Sequence, residues 1–171
     1  MSVRLLAVLL ASLTGGTEVP PPQVSLTTTP VQVGLQPHLS ETERRDLSVD
    51  ETRGGHTLAR HVGRTDEQLR QRLRAQPNIS AASTYPDRET AELVVGAILQ
   101  AESSRIRSWT RRSGSRPNLA LRTKTPRGPP IGRVLERGGR TPLDAHHAVV
   151  VLRWDTAANS YYVLTSYPET R

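Results

Sequence analysis

The run Val149-Val150-Val151-Leu152 limits the possible folds of this chain more than any other stretch. It has no polar face, as expected of a strand buried on both sides and therefore central in its sheet. It lies within His147 to Trp154, and a second strand is predicted from Ser160 to Tyr167. Asp155-Thr156-Ala157-Ala158-Asn159 between them reads as a hairpin loop. Strand side chains alternate with period two, so Tyr161, Val163, Thr165 and Tyr167 are expected on one face. Thr165 and Tyr167 would then project side by side, their Cα atoms about 7 Å apart. Two hydroxyls so placed at a strand end can bracket one phosphate. The plainer account makes Thr165 a strand former and Tyr167 an edge aromatic.

Upstream the pattern is mostly helical. Thr65-Asp66-Glu67-Gln68 is a capping box, with Leu69 and Leu73 one turn apart behind it, and it predicts a helix from about Asp66 to Arg74 closed by Pro77. Arg72 falls near the Leu69/Leu73 face, where it either snorkels or is aimed at a specific group. Ser40 and Glu43 suggest a capped helical turn over Glu41 to Leu47. Apolar residues recurring from Ala91 through Ile98 and Ala101 to Ile106 and Trp109 predict one long helix over Asp87 to about Arg111. Its acidic start and arginine-rich end complement the helix dipole, so those arginines have a structural reason. Asn78 to Tyr85 reads as a loop or edge strand. Leu119 to Arg122 and Ile131 to Leu135 read as strands around a basic Gly/Pro-rich connection. Helices that mostly precede strands predict an α+β domain, with N-terminal helices packed on a C-terminal antiparallel sheet.

The domain is expected over residues 41–171. Residues 1–16 read as a signal peptide, with Arg4 before the apolar run Leu5 to Ala11, a run too short to span a bilayer. Residues 17–40 read as a disordered linker rich in Pro and Thr, unable to bury enough apolar surface to offset its ordering entropy. Stable membrane insertion is not expected. The chain has no Cys, which excludes disulfides and cysteine chemistry. The formal net charge is +7, and all but one of the 23 basic residues are arginine, favouring a polyanionic partner.

Chemistry concentrates in Gly54-Gly55-His56-Thr57-Leu58-Ala59-Arg60-His61-Val62-Gly63. Imidazole titrates near neutral pH, at about 6.5, and arginine offers planar donors to phosphate. No Walker motif, zinc-protease motif or nucleophile elbow is present. His146 and His147 beside Asp144 are a poor chelate, because adjacent strand residues point to opposite faces. His56 and His61 are five apart, so a regular helix or strand would not put them on one face. Either the segment is irregular or only one of them is catalytic.

Together with the Arg72-Leu73 helix, Ile79 to Tyr85, Ile131-Gly132-Arg133-Val134 and Tyr161 to Pro168, this segment resembles the bacterial RNase A-like toxin domain of contact-dependent growth inhibition and polymorphic toxin proteins. The resemblance spans roughly residues 45 to 168. It implies an RNase A-like α+β fold without disulfides and a metal-independent endoribonuclease that needs no cofactor. The expected reaction is cleavage of RNA, tRNA included, by 2′-hydroxyl transphosphorylation in the cytoplasm of a competing cell, after export from a bacterium. It also implies a monomer inhibited by a cognate immunity protein, acidic to suit the +7 surface. Carried onto this sequence, the site comprises Arg72, Thr165, Tyr167 and either His61 or His56, with His61 and Arg72 the preferred pair. One departure stands out. A His-Glu pair expected shortly before the double glycine reads Asp50-Glu51 here. That change favours a rival reading, a catalytically inactive RNA- or protein-binding domain that keeps the fold.

Overall fold

Six strands form two antiparallel three-stranded sheets in the computed structural model, which describes residues 44–124 and 128–170. The proposed signal peptide and the linker lie outside those residues, as does the start of the helical turn expected over Glu41 to Leu47; its described part, residues 44–46, is not helical, and the helix begins at Leu47. The first sheet has the order β1-β3-β4, from Ala81–Thr84, Gly132–Glu136 and Leu143–Ala145. The second has the order β2-β5-β6, from Leu119–Lys124, His147–Asp155 and Ser160–Glu169. The domain is α+β as expected, with its antiparallel strands divided between two sheets. The apolar strand β5 is central in the second sheet, as its composition requires.

Among the described residues five helices accompany the sheets. α1 (Leu47–Thr52) is capped by the Asp46 side chain on the Ser48 N–H. α2 (Thr57–His61) is a single turn. α3 (Asp66–Ala75) has both halves of the Thr65/Gln68 capping box. It lays Leu69 and Leu73 on Ala82 and Leu135 of β1 and β3. The long helix read from Asp87 to Arg111 is instead two, α4 (Arg88–Ala101) and α5 (Ser103–Thr110), broken at Glu102. No Gly or Pro marks the break, and the apolar spacing continues through it, so the sequence conceals it. Ile106 and Trp109 of α5 join Val94, Val95 and Ile98 of α4 in the main core, against Leu121, Val150, Leu152 and Val163. Each such aliphatic side chain, fully buried, contributes about 1.5–3 kcal/mol. Trp109 stacks edge-on against Trp154 at 5.9 Å and donates from Nε1 to the Pro117 carbonyl at 2.9 Å.

The alternation expected along β6 is corrected by a bulge. Val151 pairs with Thr165, but Leu152 pairs with Val163, leaving Leu164 as an extra residue. Tyr161 and Val163 therefore face the core while Thr165 and Tyr167 face the opposite side, because an inserted residue reverses the pleat. Beyond the bulge Ser166 is buried on the core side, bonded to the Tyr85 hydroxyl at 2.7 Å.

β6 is an edge strand, and its unpaired backbone groups need partners. The glycine-histidine segment supplies them. The Val163 N–H donates to Asp50 Oδ1 at 3.0 Å and the Ser166 N–H to Thr57 Oγ1 at 2.8 Å. The Leu164 carbonyl accepts the His56 N–H at 3.0 Å. Gly54 takes φ +97°, and Gly55 lies so close to β6 that a Cβ there would stand 2.6 Å from the Val163 carbonyl oxygen. Gly55→Ala is expected to destabilise the fold by about 1–3 kcal/mol, since the obstructing atoms are backbone. A urea unfolding midpoint equal to that of the wild type would refute this.

Candidate active site

The side of β6 away from the core forms one wall of a cleft of about 970 Å³. The side of β1 and β3 turned away from α3 forms the other, through Ala81, Ser83, Val134 and Glu136. His56, His61, Arg72, Thr165 and Tyr167 all line this cleft. Residues more than 90 positions apart in the chain meet here because the edge of β6 is sealed by the segment that carries the histidines.

Both histidines reach the cleft because the segment is irregular. His56 is the residue before α2, with non-helical φ −151° and ψ 26°, and His61 ends that helix. His61 is buried at 6 % exposure. Its Nδ1 lies 3.2 Å from the Ser83 carbonyl. A carbonyl only accepts, so Nδ1 carries the proton and Nε2 is left with a lone pair. The chain is locked on both sides of this contact. The Tyr85 N–H donates to the His61 carbonyl at 2.8 Å, and Val62 bridges Tyr85 in parallel.

Arg72 leaves α3 toward this ring. Its Nη1 donates to the Arg60 carbonyl at 3.2 Å and stands 3.5 and 3.4 Å from the two ring nitrogens of His61. Near-equal distances to both nitrogens place the guanidinium against the ring face, since an in-plane bond would favour one. Among the described residues Arg72 has no carboxylate partner. Burial and the neighbouring Arg60 and Arg64 lower its affinity for its proton. This is a cation held where an anion would relieve it. Tyr167 covers the other side of the site, its ring 5.4 Å from that of His61 and tilted by 32°. The Thr165 hydroxyl oxygen is shielded from solvent yet has no hydrogen-bond partner. Buried hydroxyls are normally satisfied, so this one is available to a ligand.

Burial, and next the Arg72 charge, push the His61 pKa down to about 3. His56 is also lowered, first by burial and then by Arg60. Both rings are thus held neutral near pH 7, the form that accepts a proton. Replacing Arg72 by Gln is expected to raise the His61 pKa while burial keeps it below about 6.5. Titrating the ring by NMR tests this, and an unchanged pKa would remove Arg72 from the electrostatic account.

The position where a His was expected has another use. Asp50 is buried at 1 % exposure. It takes two bonds from Arg45, at 2.6 and 2.9 Å, as well as the Val163 N–H. Glu51 accepts the Leu58 and Ala59 N–H groups at 2.8 and 3.3 Å, capping α2. Both side chains build the frame of the cleft rather than line it. Glu136, Arg122 and Asn78 do line it, and sequence reasoning did not assign them there. For Glu136 the signal is strand alternation, which puts it on the side of Val134, and for Arg122 it is membership of a basic cluster; Asn78, in a turn, carries none.

Residues 55–168 match the family described as the bacterial CdiA-CT RNAse A domain. Among solved structures the chain is similar to one described as a CdiA-CT/CdiI complex from Y. kristensenii 33638. The TM-score is 0.58 and the sequence identity 30%, over 67% of this chain and 99% of that one. No curated protein matches. With a family match over most of the folded residues and a solved relative of the same architecture, the chain belongs to the bacterial CdiA-CT RNAse A domain family.

Proposed function

We propose that this domain is a metal-independent endoribonuclease toxin that acts by 2′-hydroxyl transphosphorylation. The observation that carries the reading is the convergence of a neutral imidazole, an unpaired guanidinium and an unsatisfied hydroxyl in one cleft. His61 Nε2 takes the proton of the 2′-hydroxyl. The 2′-oxygen then attacks phosphorus, and the bond from phosphorus to the 5′-oxygen breaks. The departing 5′-oxygen receives a proton from Tyr167, or from His56 once that ring is protonated. Products are a 2′,3′-cyclic phosphate and a free 5′-hydroxyl. Arg72 and the Thr165 hydroxyl donate to the phosphoryl oxygens, where negative charge grows in the transition state. The same phosphate offsets the Arg72 charge on His61, raising its basicity on binding.

The biological setting follows from kinship. Toxins of this family act on neighbouring cells, so delivery to a competitor's cytoplasm and tRNA as a substrate are proposed here. The structural relative was solved in complex with CdiI. An acidic cognate immunity protein that covers the cationic cleft is the corresponding partner for this chain. The inactive RNA- or protein-binding reading rested on Asp50. Engagement of that carboxylate by Arg45 and Val163, away from the cleft, supports the active reading instead.

The test is incubation of the purified chain with total RNA in EDTA, with the ends of the fragments mapped. Fragments ending in cyclic phosphate are expected. Intact RNA that nevertheless co-migrates with folded protein would establish the binding-only reading.

A further inference from the structure

The cleft holds two carboxylates that the proposed chemistry does not use, Glu136 and Glu169, and Glu169 stands 3.9 Å from the Arg122 guanidinium. Glu136 ends β3 and lines the same cavity as His61 and Arg72. In a site that receives phosphate, an exposed carboxylate repels the ligand and costs affinity. Most carboxylates in this arginine-rich protein are neutralised nearby, as Asp50 is by Arg45 and Asp66 by Arg133. Glu136 has no such partner among the described residues. The adjacent Arg137 is turned away from it. Its guanidinium donates to the carbonyls of Leu73, Gln76 and Ile79, closing the end of α3.

Position adds a second argument. Glu136 pairs with Ala81, and Val134 with Ser83, whose carbonyl fixes the His61 ring. Ala81 and Ser83 are two residues apart on β1, about 7 Å along the strand. Glu136 therefore sits one base's reach from the imidazole, on the wall opposite Thr165 and Tyr167. The base of a nucleotide whose phosphate is held by Arg72 and Thr165 would have this wall of the same cleft available to it.

The geometry points to Glu136 as the residue that selects the base, with guanine as its preferred partner. The inference rests on the nuclease reading for the place of the phosphate. Of the four bases only guanine presents two adjacent donors, N1–H and the 2-amino group, to a two-oxygen acceptor. Uracil offers one donor between two acceptors. Adenine and cytosine offer one amino group beside a ring acceptor. Single-stranded RNA is read on these edges once its bases are unstacked. Asn78, in the turn before β1, lines the same cleft and has a donor amide for the guanine O6.

Binding of 3′- and 5′-mononucleotides, measured by calorimetry, tests this without requiring turnover. GMP is expected to bind wild type at least about tenfold more tightly than AMP, CMP or UMP, in the range of a good bidentate base contact. Glu136→Ala and the isosteric Glu136→Gln should abolish that preference and leave AMP binding equal or tighter, because a repulsive charge is gone. Both are exposed-site changes, and a circular dichroism melt confirms folding. Equal affinity for all four nucleotides in wild type, or a preference for guanine that survives both substitutions, would overturn the assignment. Cleavage of total RNA, run in parallel, separates the two readings. A preference for GMP dependent on Glu136 without cleavage leaves base selection standing and removes the nuclease. Cleavage without that preference does the reverse.

Discussion

His61→Ala is expected to lower kcat/KM for RNA by about 10²- to 10⁴-fold, the usual loss for a general base. The ring is oriented through Nδ1 by the Ser83 carbonyl, so its Nε2 lone pair has a fixed direction. His56, held by its backbone to Leu164 rather than by its ring, should cost about tenfold when replaced by Ala. His61→Asn separates fold from chemistry, because its amide can still donate toward Ser83 while lacking a basic nitrogen. Cleavage by His61→Asn at the wild-type rate would eliminate this residue as the base. The same ring makes stability depend on pH. Its folded pKa of about 3 lies below the unfolded value of about 6.5. Between those values the unfolded chain binds a proton that the folded chain does not, so stability present above pH 6.5 is lost as pH falls through the window. His61→Asn should lack that contribution, which urea midpoints at pH 7 and pH 4.5 can measure.

Asp50→Ala is the second large effect expected, this time on the fold, at about 3 kcal/mol. Its removal leaves the buried Val163 N–H without an acceptor and Arg45 without its counter-ion. The loss stays near the low end for a broken buried pair because Arg45 is 30% exposed and can recover some hydration. Asp50 also raises the Arg45 pKa, chiefly through their hydrogen bond. Asp50→Asn keeps an oxygen for Val163 and should cost less than Asp50→Ala. A denaturation midpoint for Asp50→Ala within error of wild type would show that α1 is held to β6 by other means.

Much of this architecture was legible because it depends on local rules. The Thr65/Gln68 box starts α3 where the pattern places it, and the two-sided apolar run of β5 is central. Pairing of β5 with β6 across Asp155 to Asn159 likewise follows from the turn. What escaped reading depends on distant contacts. The break at Glu102 leaves no mark in the apolar spacing. The three-residue β4 has two exposed positions and too little alternation to register. Asp50 looked like a lost functional group because its partners, Arg45 and the Val163 backbone, are known only once β6 is in place. Arg72 could be assigned to a helix but not to a target. The site residues were named by likeness, and the fold shows why they meet.

The bulge at Leu164 turns the candidate site into a matter of parity. On either side of it the same strand serves two different layers, and the bulged residue decides which hydroxyls face the cleft and which face the core. Were Leu164 instead to pair in regular register with Val151, the neighbours would exchange roles: Thr165 would fall opposite Val150 on the core side and Ser166 opposite Val149 on the cleft side. A register slip of one amino acid, with every candidate residue still present, would therefore dismantle the cleft more thoroughly than many substitutions within it.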